Sequence, residues 1–149
     1  MFMKNFKQNQ KILVVGCGRF GASLASSLSS SGFDVIIIDK EERAFQRLSD
    51  TFGGFEIVGD ATDLDTLESC GIADCNVVLV TTGYDNTNCM IAQIANIIYG
   101  IEQVYIRLND PAKEKILKDT SIKAIYPARL SLREFENISH IPLSKELVL

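Results

Sequence analysis

The residues best suited to chemistry stand near the start of the chain, where Gly16-Cys-Gly18-Arg-Phe-Gly21 lies between a short apolar run and a segment of helical periodicity. Set between a strand and a helix, this spacing builds an anion cradle. Gly16 permits a tight turn, Gly18 keeps a Cβ out of the path of a pyrophosphate, and Gly21 lets the helix pack closely on the strand. Phe20, within the same turn, belongs to the candidate binding set. The free N–H groups at the helix start and a dipole worth about 0.3–1 kcal/mol favour an anion at that point. Asp39 ends a second apolar run about 20 residues on, the position at which a dinucleotide fingerprint places its acid. A carboxylate there accepts hydrogen bonds from ribose hydroxyls and repels a 2′-phosphate, which points to NAD(H) or to plain adenine nucleotides such as ATP and ADP rather than to NADP. Asp39 can also cap the helical segment that begins Lys40-Glu41, and the two uses are compatible.

Further candidates follow the same order along the chain. Arg19 puts a long cation inside the glycine turn, able to reach past a pyrophosphate toward a terminal phosphate of this or a neighbouring subunit, or to sit in a surface salt bridge. Lys40 and Arg43 lean toward the adenosine or its phosphates, or form a solvated helix face. Gly59-Asp-Ala-Thr62 follows a third apolar run; there an adenine can rest against Ala61 and exchange a hydrogen bond with Asp60, unless the segment only caps the next helix. Thr81 and Thr82, before Gly83, border the crevice at which strand order reverses, the usual ligand position in such sheets.

Composition removes other chemistries. Cysteines 17, 70, 75 and 89 include no CxxC pair, and the single histidine, His140, stands near the end, so a metal site, a disulfide framework or a Ser-His-Asp relay is not expected. The thiols read as small packed hydrophobes. Fifteen Lys and Arg against 19 Asp and Glu give −4, and from Leu48 to Tyr105 there is no cation but nine acids. Such a surface repels a phosphate backbone, which argues against nucleic acid. The longest apolar runs fall far short of the roughly 18–20 residues that span a bilayer, and the run after Lys4, Lys7 and Lys11 is too short for a signal peptide. The expected compartment is the cytoplasm.

The elements that must hold these residues alternate. Apolar runs at Lys11–Val15, Asp34–Ile38, Phe55–Val58, Asn76–Val80, Gln103–Leu108 and Lys123–Tyr126 read as strands without a wet face. Between them, Phe20/Leu24/Leu28, Phe45/Leu48/Phe52, Leu64–Cys70, the stripe Met90/Ile91/Ile94/Ile97/Ile98 and Ile116/Leu117 mark helices, and Leu132 and Phe135 suggest a last one. The 149 residues suit one compact unit. The pattern is an α/β, Rossmann-like, doubly wound parallel sheet of about six strands in a single domain, its second half beginning at Asn76.

Assembled, these motifs resemble the nucleotide-binding domain of Trk- and Ktr-type potassium transport regulators, the RCK or KTN (TrkA-N) domain. The resemblance covers roughly Gln10 to Arg133: the glycine turn, Asp39, Gly59-Asp-Ala-Thr62, Val80-Thr-Thr-Gly83 with Asp85 and Asn88, Arg107-Leu-Asn-Asp-Pro111, and Ile125-Tyr-Pro127. It divides the chain into an extension (1–10), the nucleotide-binding domain (11–133) and a tail or the start of a further segment (134–149). It implies a homo-oligomeric regulatory subunit, dimeric within a ring, that binds NAD(H), ATP or ADP and gates a separate membrane potassium-transport protein. The subunit is peripheral to the inner face of the membrane through that partner and catalyses no reaction. In the family the turn arginine, here Arg19, contacts phosphates, the acid, here Asp39, holds ribose, and the Gly-Asp-Ala-Thr segment borders adenine. Ktr-type relatives place a cation-associated glutamate where this chain has Ala128, so no metal site is implied. The alternative is the NAD-binding domain of a dehydrogenase or other oxidoreductase lacking its substrate domain, for which the sequence offers no histidine but His140, near the end of the chain, as acid or base. A methyltransferase reading is disfavoured because no acid leads into the glycine turn.

Overall fold

The computed structural model describes residues 10–145. Its strands are β1 (Lys11–Val15), β2 (Asp34–Asp39), β3 (Phe55–Val58), β4 (Val77–Val80), β5 (Gln103–Arg107) and β6 (Lys123–Ile125). β1, β2 and β4 are largely buried runs of Val, Ile and Leu, whereas the edge strands, β6 and β3 with its exposed Phe55 and Val58, do have a wet face, against the expectation. Side chains on a strand alternate between faces, so Leu13 and Val15 enter one core while Ile12 and Val14 enter another on the opposite side. The strands form one sheet in the order β3-β2-β1-β4-β5-β6, every pair parallel. Order reverses between β1 and β4. The expected α/β doubly wound sheet of six strands is therefore present, and the crevice at its carboxyl ends opens where the two halves part.

The helices depart from expectation in how they bury themselves. α1 (Arg19–Ser30) buries Gly21, Ala22 and Ala25, whereas Phe20, Leu24 and Leu28 are only half-buried. Small residues bring its backbone close to the sheet and leave the large ones at the flank. After β2 the expected amphipathic helix over Phe45, Leu48 and Phe52 is a single 3₁₀ helix, Glu42–Arg47. Ser49 ends it: its N–H donates to Ser26 Oγ at 3.0 Å, and its own hydroxyl meets Thr51 Oγ1 at 2.9 Å, local bonds that compete with helix propagation.

α2 (Leu64–Ser69) is capped by Asp63, whose carboxylate accepts from the Asp65 N–H. α3 (Asp85–Gln93) passes into a π turn, Ile94–Ile98. The buried face is Asp85, Asn88, Cys89, Ile91, Ala92 and Ala95, and Met90, Ile97 and Ile98 are exposed, so the expected stripe is displaced around the helix. A 3₁₀ helix, Pro111–Leu117, follows β5 with Asp110 as its cap. α4 (Pro127–Ser139) supplies the last helix expected from Leu132 and Phe135; it runs across the 133/134 division and buries none of its residues. Of the expected N-terminal extension only Gln10 is described; Lys4, Lys7 and the apolar end Leu147-Val-Leu149 lie outside the described residues. Among the described residues no helix is long and apolar enough to cross a membrane.

Candidate nucleotide-binding site

The turn after β1 is shaped by its glycines. Gly16 has φ +96°, a left-handed conformation that a side chain resists, and a Cβ there would stand 3.0 Å from the Thr82 backbone nitrogen. A Cβ on Gly21 would fall 1.9 Å from the Gly16 carbonyl oxygen and 2.5 Å from Thr81 Oγ1. Gly21 therefore serves the closeness of α1 to the turn. Gly18 is different: a Cβ there meets nothing within 4 Å, because the residue faces open space. It is also the N-cap of α1, with no side chain bonded to the cap and no acid in the first turn. The first N–H groups of α1 thus point at an opening with no protein partner supplied by the cap.

Several bonds fix that turn. The Gly16 N–H donates to the Ile38 carbonyl at 2.8 Å, and the Cys17 thiol donates to the Ala44 carbonyl at 3.3 Å. Asp39 accepts from the Cys17 N–H through Oδ2 at 2.7 Å and from the Glu41 N–H through Oδ1 at 2.8 Å. The carboxylate turns the chain after β2 and lies against the glycine turn, with lone pairs left for hydroxyl donors; it does not cap the following 3₁₀ helix, whose N-cap is Glu41. Burial, with the Asp39 charge beside it, pushes the Cys17 thiol up to about 11, so this cysteine is a packing group rather than a nucleophile.

The turn opens into a cleft of about 800 Å³. Gly16, Gly18, Arg19, Asp39, Lys40, Arg43, Asp60, Ala61, Thr81 and Thr82 all line it. Phe20 and Gly21 do not: Phe20 is half-buried on the first turn of α1, and Gly21 faces inward. Lys40 Nζ lies 3.5 Å from Asp60 Oδ2, so these two candidates form an exposed ion pair at the β3 end of the cleft. Asp60 also accepts from the Thr62 hydroxyl at 2.6 Å and the Thr62 N–H at 2.9 Å, and those bonds, with lesser help from Lys40, hold its carboxyl below the ordinary range.

Thr81 is committed to the fold. It is buried, and its hydroxyl lies 3.0 Å from both the Val15 and Gly16 carbonyls, tying β4 to the turn. Thr82 is fastened by Asn88, which accepts from the Thr82 N–H at 3.1 Å and from its hydroxyl, while Asn88 Nδ2 donates to the Thr82 carbonyl at 3.0 Å and the Arg107 carbonyl at 2.9 Å. Asp85 accepts from the N–H groups of Asn109 and Asp110, both at 2.9 Å. The two side chains at the start of α3 thus fix the ends of β4 and β5 together.

The cleft also contains Arg47, Tyr84, Thr87 and Arg107, which the motif reading did not assign to the site. Arg47 Nη1 reaches the Cys17 carbonyl at 3.4 Å across 30 positions. Only the position of Arg107 at a strand's carboxyl end carried a signal legible beforehand. Arg19, Lys40, Arg43, Arg47 and Arg107 outnumber the wall's carboxylates Asp39, Glu41 and Asp60, so a cleft in an acidic chain is biased toward an anionic guest.

Comparison with known proteins agrees with this architecture. The sequence profile of the TrkA-N domain matches residues 12–127. The Trk system potassium uptake protein TrkA of Streptomyces coelicolor is 33% identical over 118 residues, which are 79% of this chain and 53% of that protein. The chain spans about half the length of the TrkA proteins of Streptomyces coelicolor, Pyrococcus horikoshii and Pyrococcus abyssi. The solved GsuK RCK domain superposes with a TM-score of 0.75 at 23% identity, covering 90% of this chain and 29% of the other. The GsuK channel bound to NAD gives 0.66 at 22%, covering 92% and 27%. A profile match over most of the length, on a sheet of this order with this glycine turn, leads to one conclusion: the chain belongs to the TrkA-N domain family.

Proposed function

We propose that this chain is a regulatory nucleotide-binding domain, taking NAD(H), ATP or ADP in the cleft at the carboxyl ends of β1 and β4. The observation that carries the reading is the opening at Gly18: the uncapped start of α1 faces empty space, with the Asp39 carboxylate fastened to the same turn. A pyrophosphate placed there receives the α1 N–H groups, and the ribose beside it meets Asp39. Arg19, exposed and without an ion pair among the described residues, reaches toward phosphate. Lys40, Arg43, Asp60 and Ala61 border the adenine end.

The domain works as a switch and not as an enzyme. Two ligands that fit two arrangements of the domain with unequal free energy shift the assembly toward the arrangement each binds more tightly. The relatives named as Trk system potassium uptake proteins support potassium transport as the process; a membrane transport protein as the partner, with this domain at the inner face of the membrane, is part of the same proposal. Homo-oligomerisation, in a ring, belongs to the same proposal; apolar surface left at Met90 of α3, Ile97 and Ile98 of its π turn, and Leu130, Phe135 and Ile138 of α4 is available for contacts between copies.

A calorimetric panel of AMP, ADP, ATP, NAD and NADPH tests the reading. Wild type binds the ligands with a free adenosine diol and disfavours NADPH; Asp39→Ala weakens all of the former at least tenfold and loses the discrimination against NADPH. Absence of binding to any of the five overturns the proposal.

A further inference from the structure

We infer that Tyr84 is a specificity-determining residue that favours a dinucleotide over a mononucleotide, its ring stacking on the second base; this rests on the nucleotide-binding reading above. Val80 closes β4 in register with Val15 of β1, so the segment that follows it runs beside the glycine turn. A Cβ on Gly16 would stand 3.0 Å from the Thr82 backbone nitrogen, which measures how closely the two loops approach. Tyr84 comes two residues later, as the N-cap of α3 and on the wall of the cleft.

Its backbone and its side chain are in opposite conditions. The Tyr84 N–H donates to Thr82 Oγ1 at 3.3 Å, and its carbonyl accepts from the N–H of Asn88 at 3.0 Å; Asn88 is wholly buried and bonded in turn to the Arg107 carbonyl. The side chain is 75% exposed, the most exposed large hydrophobic group among the described residues. It is also the only aromatic side chain lining the cleft, and no described residue stacks on its ring or places a cation over it. An aromatic ring carried on a fixed backbone, with only two side-chain torsions to order, gives up little freedom when a second ring is laid on it.

The way to that ring is clear. Gly18 and Gly83 both line the cleft, and a Cβ on either would meet nothing within 4 Å. With the adenine at Asp60 and Ala61, the first ribose on Asp39 and the phosphates on α1, the atoms beyond the second phosphate pass to the β4 side, because β2 and β3 lie on one side of β1 and β4 on the other. The two sides differ in charge: Lys40, Glu41 and Arg43 line the adenosine end, whereas Thr82, Gly83, Tyr84 and Thr87 form an uncharged wall after β4. Such a wall with one ring on it suits a flat heterocycle rather than a third phosphate. The oxidised nicotinamide of NAD is planar and cationic, and an aromatic face attracts it as a cation as well as stacking on it.

Calorimetry of the full chain with NAD and ADP-ribose, for wild type, Tyr84→Ala and Tyr84→Phe, isolates the ring. ADP-ribose keeps both phosphates and both riboses and lacks the nicotinamide, so it reports on folding and on the cradle. Wild type should bind NAD more tightly than ADP-ribose. Tyr84→Ala should lose about tenfold for NAD, the scale of one base–aromatic stack, while its affinity for ADP-ribose and the affinity of Tyr84→Phe for NAD both stay within about twofold of wild type. Equal losses for NAD and ADP-ribose, a loss in Tyr84→Phe as large as in Tyr84→Ala, or unchanged NAD affinity in Tyr84→Ala overturns the inference and leaves the nucleotide-binding reading standing. Wild type binding NAD no more tightly than ADP-ribose also overturns it. If wild type binds neither, the inference fails, and ADP and ATP in the same calorimeter decide whether the nucleotide-binding reading fails with it.

Discussion

At the scale of single residues, the three glycines of one motif do three separable things, and the separation is testable. The space around Gly18 is empty, so Gly18→Val should leave the melting temperature within a few degrees of wild type while removing nucleotide binding. Gly21 has a backbone oxygen where its Cβ would go, so Gly21→Val forces α1 off the sheet, and overpacking of that kind costs about 1–3 kcal/mol or more. The expected outcome is a lowered urea midpoint for Gly21→Val, alongside binding loss without destabilisation for Gly18→Val. Equal destabilisation by both would show that Gly18 is structural as well. The sequence motif alone located the turn between β1 and α1, because spacing between strand and helix is read directly from residue types. It did not expose Arg47, whose contact with the turn spans 30 positions and leaves no local pattern. Phe20 shows the opposite error: membership of the motif does not determine which way a side chain on the first helical turn faces.

Among elements, the positions of the central strands followed closely from apolar runs, since a strand buried on both faces needs an unbroken run of Val, Ile and Leu, whereas the edge strands β3 and β6 are exposed or only half-buried. Helix faces were less legible. Periodicity rewards large apolar side chains, yet α1 approaches the sheet through Gly21, Ala22 and Ala25, and the buried face of α3 begins with polar Asp85 and Asn88. Those two polar residues do what a hydrophobic pattern cannot describe: they bond the loops after β4 and β5 to α3. Removing Asp85 leaves the N–H groups of Asn109 and Asp110 without their acceptor, and each such loss costs about 1–3 kcal/mol where water does not replace it. Asp85→Ala and Asn88→Ala should each lower unfolding free energy by about 2–4 kcal/mol, measured by urea denaturation at pH 7. Hydrogen exchange in the variants should rise first at residues 107–110, the segment these side chains hold. Uniform acceleration across the sheet would mean that the loops are secured by other contacts.

Over the whole molecule, the two cores on either side of the sheet share a chemical feature with a consequence for its stability at alkaline pH. All four cysteines are buried, Cys17 in the core beneath α1 and Cys70, Cys75 and Cys89 in the core beneath α2 and α3. Burial is the leading cause of a raised thiol pKa at every one of them, and it pushes Cys17 and Cys75 up to about 11 from an ordinary 9.0. Between those values the unfolded chain has given up its thiol protons and the folded chain has kept them. The unfolded state then binds fewer protons, so unfolding free energy falls as pH rises, by up to about 1.4 kcal/mol per unit for each such thiol. Below pH 9 both states are protonated and the thiols contribute no slope. The urea midpoint should therefore be flat in this respect up to about pH 8 and drop steeply from 9 to 11. A Cys17→Ala/Cys75→Ala variant starts lower, because two small cavities are left, but declines less steeply over the same interval, since alanine has no proton to lose. Parallel slopes for wild type and the double variant would mean that other groups, such as Tyr126 with its own burial-raised pKa, govern alkaline unfolding.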